Sequence, residues 1–220
     1  MPDTRRFPML PLGTVLLPSA VMPLHLFEDR YRSMIVDVLA TDREFGVVLI
    51  RRGSEVGGGD QRCDVATRAR VLEAREAPDG RWAVTVVGLQ RIRVDLWLPD
   101  DPHPVADVSP MPDRSGPGVP ESAYRSLESR LRRLLALLSE LGDSVPAAMF
   151  DLADDPALGT LQMAALGPFT AYDRQRLLEA DLVSDRCRVL DALLADGQAV
   201  VDLRLGPDRE GDGPAVGSSR

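Results

Sequence analysis

The sequence predicts an α+β fold, with a β-rich unit carrying one helix over residues 5–112 and an all-helical unit over residues 120–205. Three observations carry this expectation. Short β-branched runs with period-two alternation crowd residues 45–97, the pattern of half-buried strands. From residue 121 onward the apolar residues recur at three- and four-residue spacing, as on one face of a helix. Between the two lies "PMPDRSGPGVP", residues 110–120, whose prolines and glycines read as a linker. A chain of 220 residues is long enough to bury a sizeable core.

The opening stretch, "RRFPMLPLGTVLLPSAVMPLHLFEDRYR", has the apolar look of an export signal. A signal core is a helix-compatible run of roughly 7–15 residues ending in small residues. Pro8, Pro11, Pro18 and Pro23 break this one, and each removes a backbone donor. The stretch therefore reads as extended pieces, "FPMLPL", "VLLP" and "VMPLHLF", and export is not expected. "FEDRYRSMIVDVLATD" then places Phe27, Tyr31, Met34, Ile35, Val38 and Leu39 on one helical stripe.

"FGVVLI" is a buried strand, and "RRGSEVGGGDQRCD" is a loop. "VATRARVLEAREA" alternates Val65, Thr67, Ala69 and Val71 against Arg68 and Arg70. Its partner, "RWAVTVVGLQRIRVDLWL", puts Trp82, Val84, Val86, Ile92, Val94 and Leu96 on one parity. The "PDG" between them presets a turn, making a long antiparallel hairpin, and Gly88 marks a bulge or bend. "VADVSPM" reads as the last strand.

In the second unit, Tyr124, Leu127, Leu131, Leu134, Leu138 and Leu141 form one stripe, backed by a Glu128–Arg132 pair at i,i+4. Shorter helices are expected at about 146–153 and 156–166. Thr170 and Asp173 form a capping box for a helix through Glu179, and Ser184 or Asp185 is expected to cap the last helix, "RCRVLDALLADGQAVVDLRL". Residues 206–220 read as a disordered tail.

The composition excludes several functions. The net charge is −8, against nucleic acid as a partner, since phosphate binding needs clustered basic residues. All 26 basic residues are arginine. Without lysine the chain has no phosphate-loop lysine for "GSEVGGGD", no Schiff base and no serine–lysine dyad. No apolar run reaches the roughly 18 residues of a membrane span. A cytoplasmic protein is expected, with Cys63 and Cys187 as unpaired thiols rather than a disulfide.

No catalytic, cofactor-binding or metal-binding residue emerges. His25 and His103 stand alone, without a second histidine or cysteine at ligand spacing, and packed or exposed histidines explain them better. Ser19 lacks a nucleophile elbow, and Cys63 has no base beside it in sequence. An enzyme on this frame would need a pocket where His25, His103 or Cys63 meets carboxylates. Among the aromatics, Phe27, Tyr31, Trp82 and Trp97 are the candidates for binding, with core filling the more frequent role of such residues.

These same stretches carry a resemblance. "FPMLPLGTVLLPSAVMPLHLFEDRYRSMIVDVL" is similar to the start of the Lon protease N-terminal domain, and "FGVVLIRRGSEVGGGD", "VATRARVLEA", "PDGRWAVTVVGLQRIRV" and "WLPDDPHPVADV" continue it in order. "YDRQRLLEADLVSDRCRVLDALL" resembles that domain's distal helices. The resemblance covers residues 5–205 and implies a PUA-like β-barrel or pseudo-barrel followed by a helical bundle. It implies a module that recognises substrate polypeptides and supports assembly, like the stand-alone Lon substrate-binding-domain proteins of bacteria. The family's ATPase and protease modules would begin where this chain stops, and their lysines are absent, so neither activity is expected. The expected function is thus a non-catalytic module that binds unfolded or exposed polypeptide, with an open apolar groove between its halves. The alternative is an adaptor or regulator acting through a protease or chaperone.

Overall fold

The computed structural model describes residues 5–53, 55 and 59–206. Ser54, Val56, Gly57 and Gly58 of the glycine-rich loop, and all of the expected tail beyond Gly206, lie outside those residues. Six strands form one mixed sheet in the order β2-β5-β4-β3-β1-β6. They are β1 (Arg5–Leu12), β2 (Val21–Leu26), β3 (Glu44–Arg52), β4 (Gln61–Glu76), β5 (Trp82–Trp97) and β6 (Val105–Pro110). β1 runs parallel to β3 and antiparallel to β6. β6 also pairs with β5, so the hydrogen-bonded order returns on itself. Five helices complete the fold: α1 (Asp29–Leu39), α2 (Glu121–Glu140), α3 (Pro156–Leu166), α4 (Ala171–Glu179) and α5 (Val183–Leu205).

The β4–β5 hairpin has the expected face, with Val65, Thr67, Ala69 and Val71 buried opposite Val84, Val86, Ile92 and Val94. Leu96 departs from it, being exposed beyond a register shift in the β5–β6 pairing. Gly80 closes the turn at φ 79°, in the left-handed region. Gly88 faces Ala69 while Gln90 faces Arg68, which leaves Leu89 as the extra residue of a bulge. There Gly88 N–H donates to the Ala20 carbonyl at 2.9 Å, and Ser19 N–H donates to the Gly88 carbonyl at 2.8 Å. A Cβ on Gly88 would lie 2.2 Å from the Leu17 carbonyl oxygen. Gly88→Ala is accordingly expected to destabilise by about 1–3 kcal/mol, the usual cost of overpacking. Urea unfolding checks it, and a loss below about 0.5 kcal/mol would mean that the β1–β2 loop yields freely.

One face of the sheet packs α1, whose Tyr31, Met34, Ile35 and Val38 join Leu10, Leu24, Leu26, Phe45 and Val84 in one apolar cluster. Phe27 falls outside this helix, which starts at Asp29, and is exposed. The larger cluster is continuous between sheet and helices, from Phe7, Val65 and Ile92 through Tyr124 and Leu131 to Leu177 and Leu190. Each such side chain contributes about 1.5–3 kcal/mol on burial, so this shared core joins the two halves.

The 110–120 segment is pinned at one residue. One carboxylate oxygen of Asp113 accepts from Arg91 of β5 at 2.7 Å and from Arg186 of α5. The Arg91 and Arg186 side chains are 3% and 0% exposed. Arg91 also donates to the carbonyls of Leu178 and Ala180, closing the end of α4. Arg186 donates to the Ala157 carbonyl and to Thr160 Oγ1 in the first turn of α3. Burial pushes the Arg91 pKa down, and Asp113 opposes that shift.

The capping box of α4 is present, with Asp173 N–H donating to Thr170 Oγ1 at 3.1 Å. Two expectations fail. Neither Ser184 nor Asp185 caps α5, whose N-cap is Leu182 without a side-chain cap. Residues 146–153 form no helix. Their backbone is claimed by side chains instead: Arg132 donates to the carbonyls of Ala148 and Phe150, Tyr124 Oη donates to that of Ala153, and Gln162 Oε1 accepts from Ala153 N–H.

Candidate functional site

The site begins at β2, the terminal strand of the sheet order, hydrogen-bonded only to β5 among the described residues. The Ser19–Gly88 clasp starts it, with Ser19 itself at φ 65°. From there Leu24 and Leu26 point into the α1 core, while Val21, Pro23, His25 and then Phe27 are exposed. Val21 is 60% exposed and Phe27 55%. A solvated strand face is normally polar, so an outward row of valine, proline and phenylalanine is an unpartnered apolar surface. Their β5 partners Val87, Thr85 and Ala83 continue it sideways.

The second wall comes from the helical half. Arg132, held by Glu128 at 2.8 Å, stacks its guanidinium 4.3 Å from the centre of the Phe150 ring. Its bonds to the Ala148 and Phe150 carbonyls fix the 148–150 backbone, leaving neighbouring Met149 91% exposed. Together with Gln162, Ala165 and Leu166 of α3, Phe150 faces Ser19, Ala20 and Val21 across a groove of about 360 Å³. At the other end of β2 lies a second, mostly apolar groove of about 350 Å³, lined by His25, Leu26, Phe27, Ala77, Trp82 and Ala83, with Arg81 at its edge. Val21 lines one groove and His25 the other, so β2 joins them over about 13 Å at strand rise. The charges here are few: exposed Asp151 at one end and Arg81, paired to Asp79 at 2.7 Å, at the other. The arrangement can hold an extended apolar segment; Ser19 lines one groove and His25 the other, at opposite ends of β2.

The remaining sequence candidates stand in separate surroundings. Cys63 is buried in the sheet–helix core; burial pushes its thiol pKa up, with Arg51 opposing. Cys187 is likewise unpaired, and burial raises its thiol as well. His103 is buried before β6, with Nδ1 unpartnered among the described residues, and burial holds its pKa below the ordinary 6.5. Of the aromatics, Tyr31 is core, its hydroxyl pushed up to about 12 by burial. Trp97 is half-buried beneath the Arg62 guanidinium, 4.6 Å from its ring centre, and Trp82 is shared between the α1 core and the groove. Among the described residues no group of three or more His, Cys, Asp or Glu side chains could hold a metal ion, and no helix is long and apolar enough to cross a membrane. Val21, Pro23, Met149 and Phe150 were not singled out by sequence. For Val21 and Pro23 the signal lies in "VMPLHLF", which is largely apolar on both parities although an edge strand needs only one buried face; Met149 and Phe150 have no such signal.

The depressed His103 pKa gives a pH prediction. Below the ordinary value the unfolded chain takes up a proton that the folded chain resists, so stability falls as pH drops through about 6.5. His103→Gln is expected to flatten the fall in thermal midpoint between pH 7.5 and 5.5. Parallel curves for the two proteins would remove His103 as its source.

The family model of the ATP-dependent protease La (LON) substrate-binding domain matches residues 6–196. The chain belongs to this family. Lon protease 2 of Herpetosiphon aurantiacus is 30% identical over 204 residues, covering 91% of this chain and 25% of its own length. Lon protease 2 of Thermus thermophilus is 28% identical over 93% of this chain and 25% of its own. The substrate-binding domain described here thus spans about a quarter of the length of these relatives. A Lon N-terminal domain protein from Xanthomonas campestris superposes with a TM-score of 0.62 at 29% identity, covering 87% of this chain and 98% of that one. The N-terminal domain of a Mycobacterium avium complex Lon protease gives 0.63 at 18% identity, over 87% and 99%, and shows the fold alone.

Proposed function

We propose that this domain is a non-catalytic module that binds extended apolar segments of unfolded or exposed polypeptide along β2. The observation that carries the reading is the open groove between Val21 and the Phe150–Leu166 wall, where sheet and helical half meet. The family description as a substrate-binding domain supports the same class of ligand. The sparse charge of the groove favours apolar over ionic recognition. In this reading the closed strand pairing is the PUA-like pseudo-barrel, and α2–α5 are the bundle that supplies the second wall.

The test is fluorescence anisotropy with a permanently unfolded protein, reduced and carboxymethylated α-lactalbumin, against its native disulfide-bonded form. Saturable binding of the unfolded form alone is expected. Equal binding of both forms, or of neither by a well-folded sample, would overturn the reading.

A further inference from the structure

The hydrogen-bonding pattern of β2 says how a bound segment is held. In an antiparallel pair, successive residues turn their N–H and C=O groups alternately toward the partner strand and away from it. Gly88 N–H donates to the Ala20 carbonyl, so Ala20 is bonded toward β5, and the register then turns Met22, Leu24 and Leu26 the same way. Val21, Pro23 and His25 must turn theirs outward. The placement of Pro23 agrees: a proline survives in a strand where its missing N–H would face away from the partner. Among the described residues, no backbone or side-chain group takes up the outward N–H groups of Val21 and His25 or the outward carbonyls of Val21, Pro23 and His25. Those three residues are exposed, and the row covers about 13 Å.

We propose that a polypeptide segment binds here by adding to the sheet as a strand beside β2. The proposal rests on the polypeptide-binding reading above and fixes its mode. Two donors and three acceptors at strand spacing match the backbone of an extended chain, whatever its sequence. A helix keeps its amides to itself and offers them no partners. Side-chain preference then comes from one face only. Every second residue of the added strand lies beside the apolar row of Val21, Pro23 and Phe27, and at one end beside Phe150 and Leu166. The favoured occupant is an unfolded segment of about five residues, apolar at alternate positions.

The experiment uses a fluorescein-labelled decapeptide alternating leucine with serine, and two analogues N-methylated on either the leucines or the serines. Strand addition makes one parity of peptide amides bond to β2 and leaves the other free. One analogue is therefore expected to bind at least tenfold more weakly than the parent, and the other within about twofold. Equal affinities for the two analogues would overturn strand addition while leaving polypeptide binding in place. If neither the parent peptide nor the unfolded protein binds, the underlying reading has failed instead. His25→Pro supplies a second arm: it removes an outward donor and no bond to β5, and should weaken the parent peptide at least fivefold. Unchanged binding by a folded His25→Pro protein would also overturn the proposal.

Discussion

Replacing Asp113 with alanine is expected to lower the unfolding free energy by about 3–5 kcal/mol, the cost of stripping the partner from a buried ion cluster. Arg91 and Arg186 converge on one Asp113 oxygen, and both guanidiniums are almost wholly buried. Without the carboxylate, two like charges remain together in a medium that screens them poorly. The usual remedy for such a cluster is wholesale replacement by apolar residues, which is often neutral or stabilising. Here that remedy should work only in part. Arg91 serves the carbonyls of Leu178 and Ala180, and Arg186 serves that of Leu177, all at the end of α4, so an Arg91→Met, Asp113→Leu, Arg186→Met triple variant would strip these carbonyls of their arginine donors. The triple variant is expected to recover less than half of the loss. Chemical denaturation of the two proteins decides the matter, and full recovery would show that charge alone, not carbonyl anchoring, is the role of the arginines.

The second large effect is on binding. Val21→Asp combined with Phe27→Asp should weaken binding of the unfolded protein roughly 100-fold, the scale seen when central apolar contacts of an interface are lost. Both side chains are more than half exposed, so the fold has little reason to respond. An unchanged thermal midpoint with lost binding is the expected pair of results. Retained affinity would move the binding surface away from β2.

Local chemistry explains which elements were legible. The Thr170–Asp173 box, the "PDG" turn and the alternation of β4 and β5 are each decided within a few residues, and each stands as read except at Leu96. The helix expected at 146–153 does not form, and its carbonyls meet Arg132 and Tyr124 of α2, partners that local sequence does not reveal. The 110–120 segment has a linker's composition, yet Asp113 is claimed by arginines 22 and 73 positions away. Nothing in "SDRCRV" distinguishes Arg186, the most buried arginine of that run, from exposed Arg188. The proposed binding surface was hidden for a related reason: an outward apolar row looks like core until its partner strands are known.

Helix α3 has two employments. Its first turn is gripped by Arg186 through Ala157 and Thr160, and its last turns, at Gln162, Ala165 and Leu166, form a wall of the groove. In the proposed binding mode, the ion cluster thus anchors one wall of the gap facing Val21 without lining the gap itself. Such a jaw of set width spends little ordering entropy on a segment that fits, and yields little to one that is too thick. Discrimination between a single strand and bulkier folded elements would then be a matter of calibre, and loosening Asp113 would blunt that selectivity before it abolished binding.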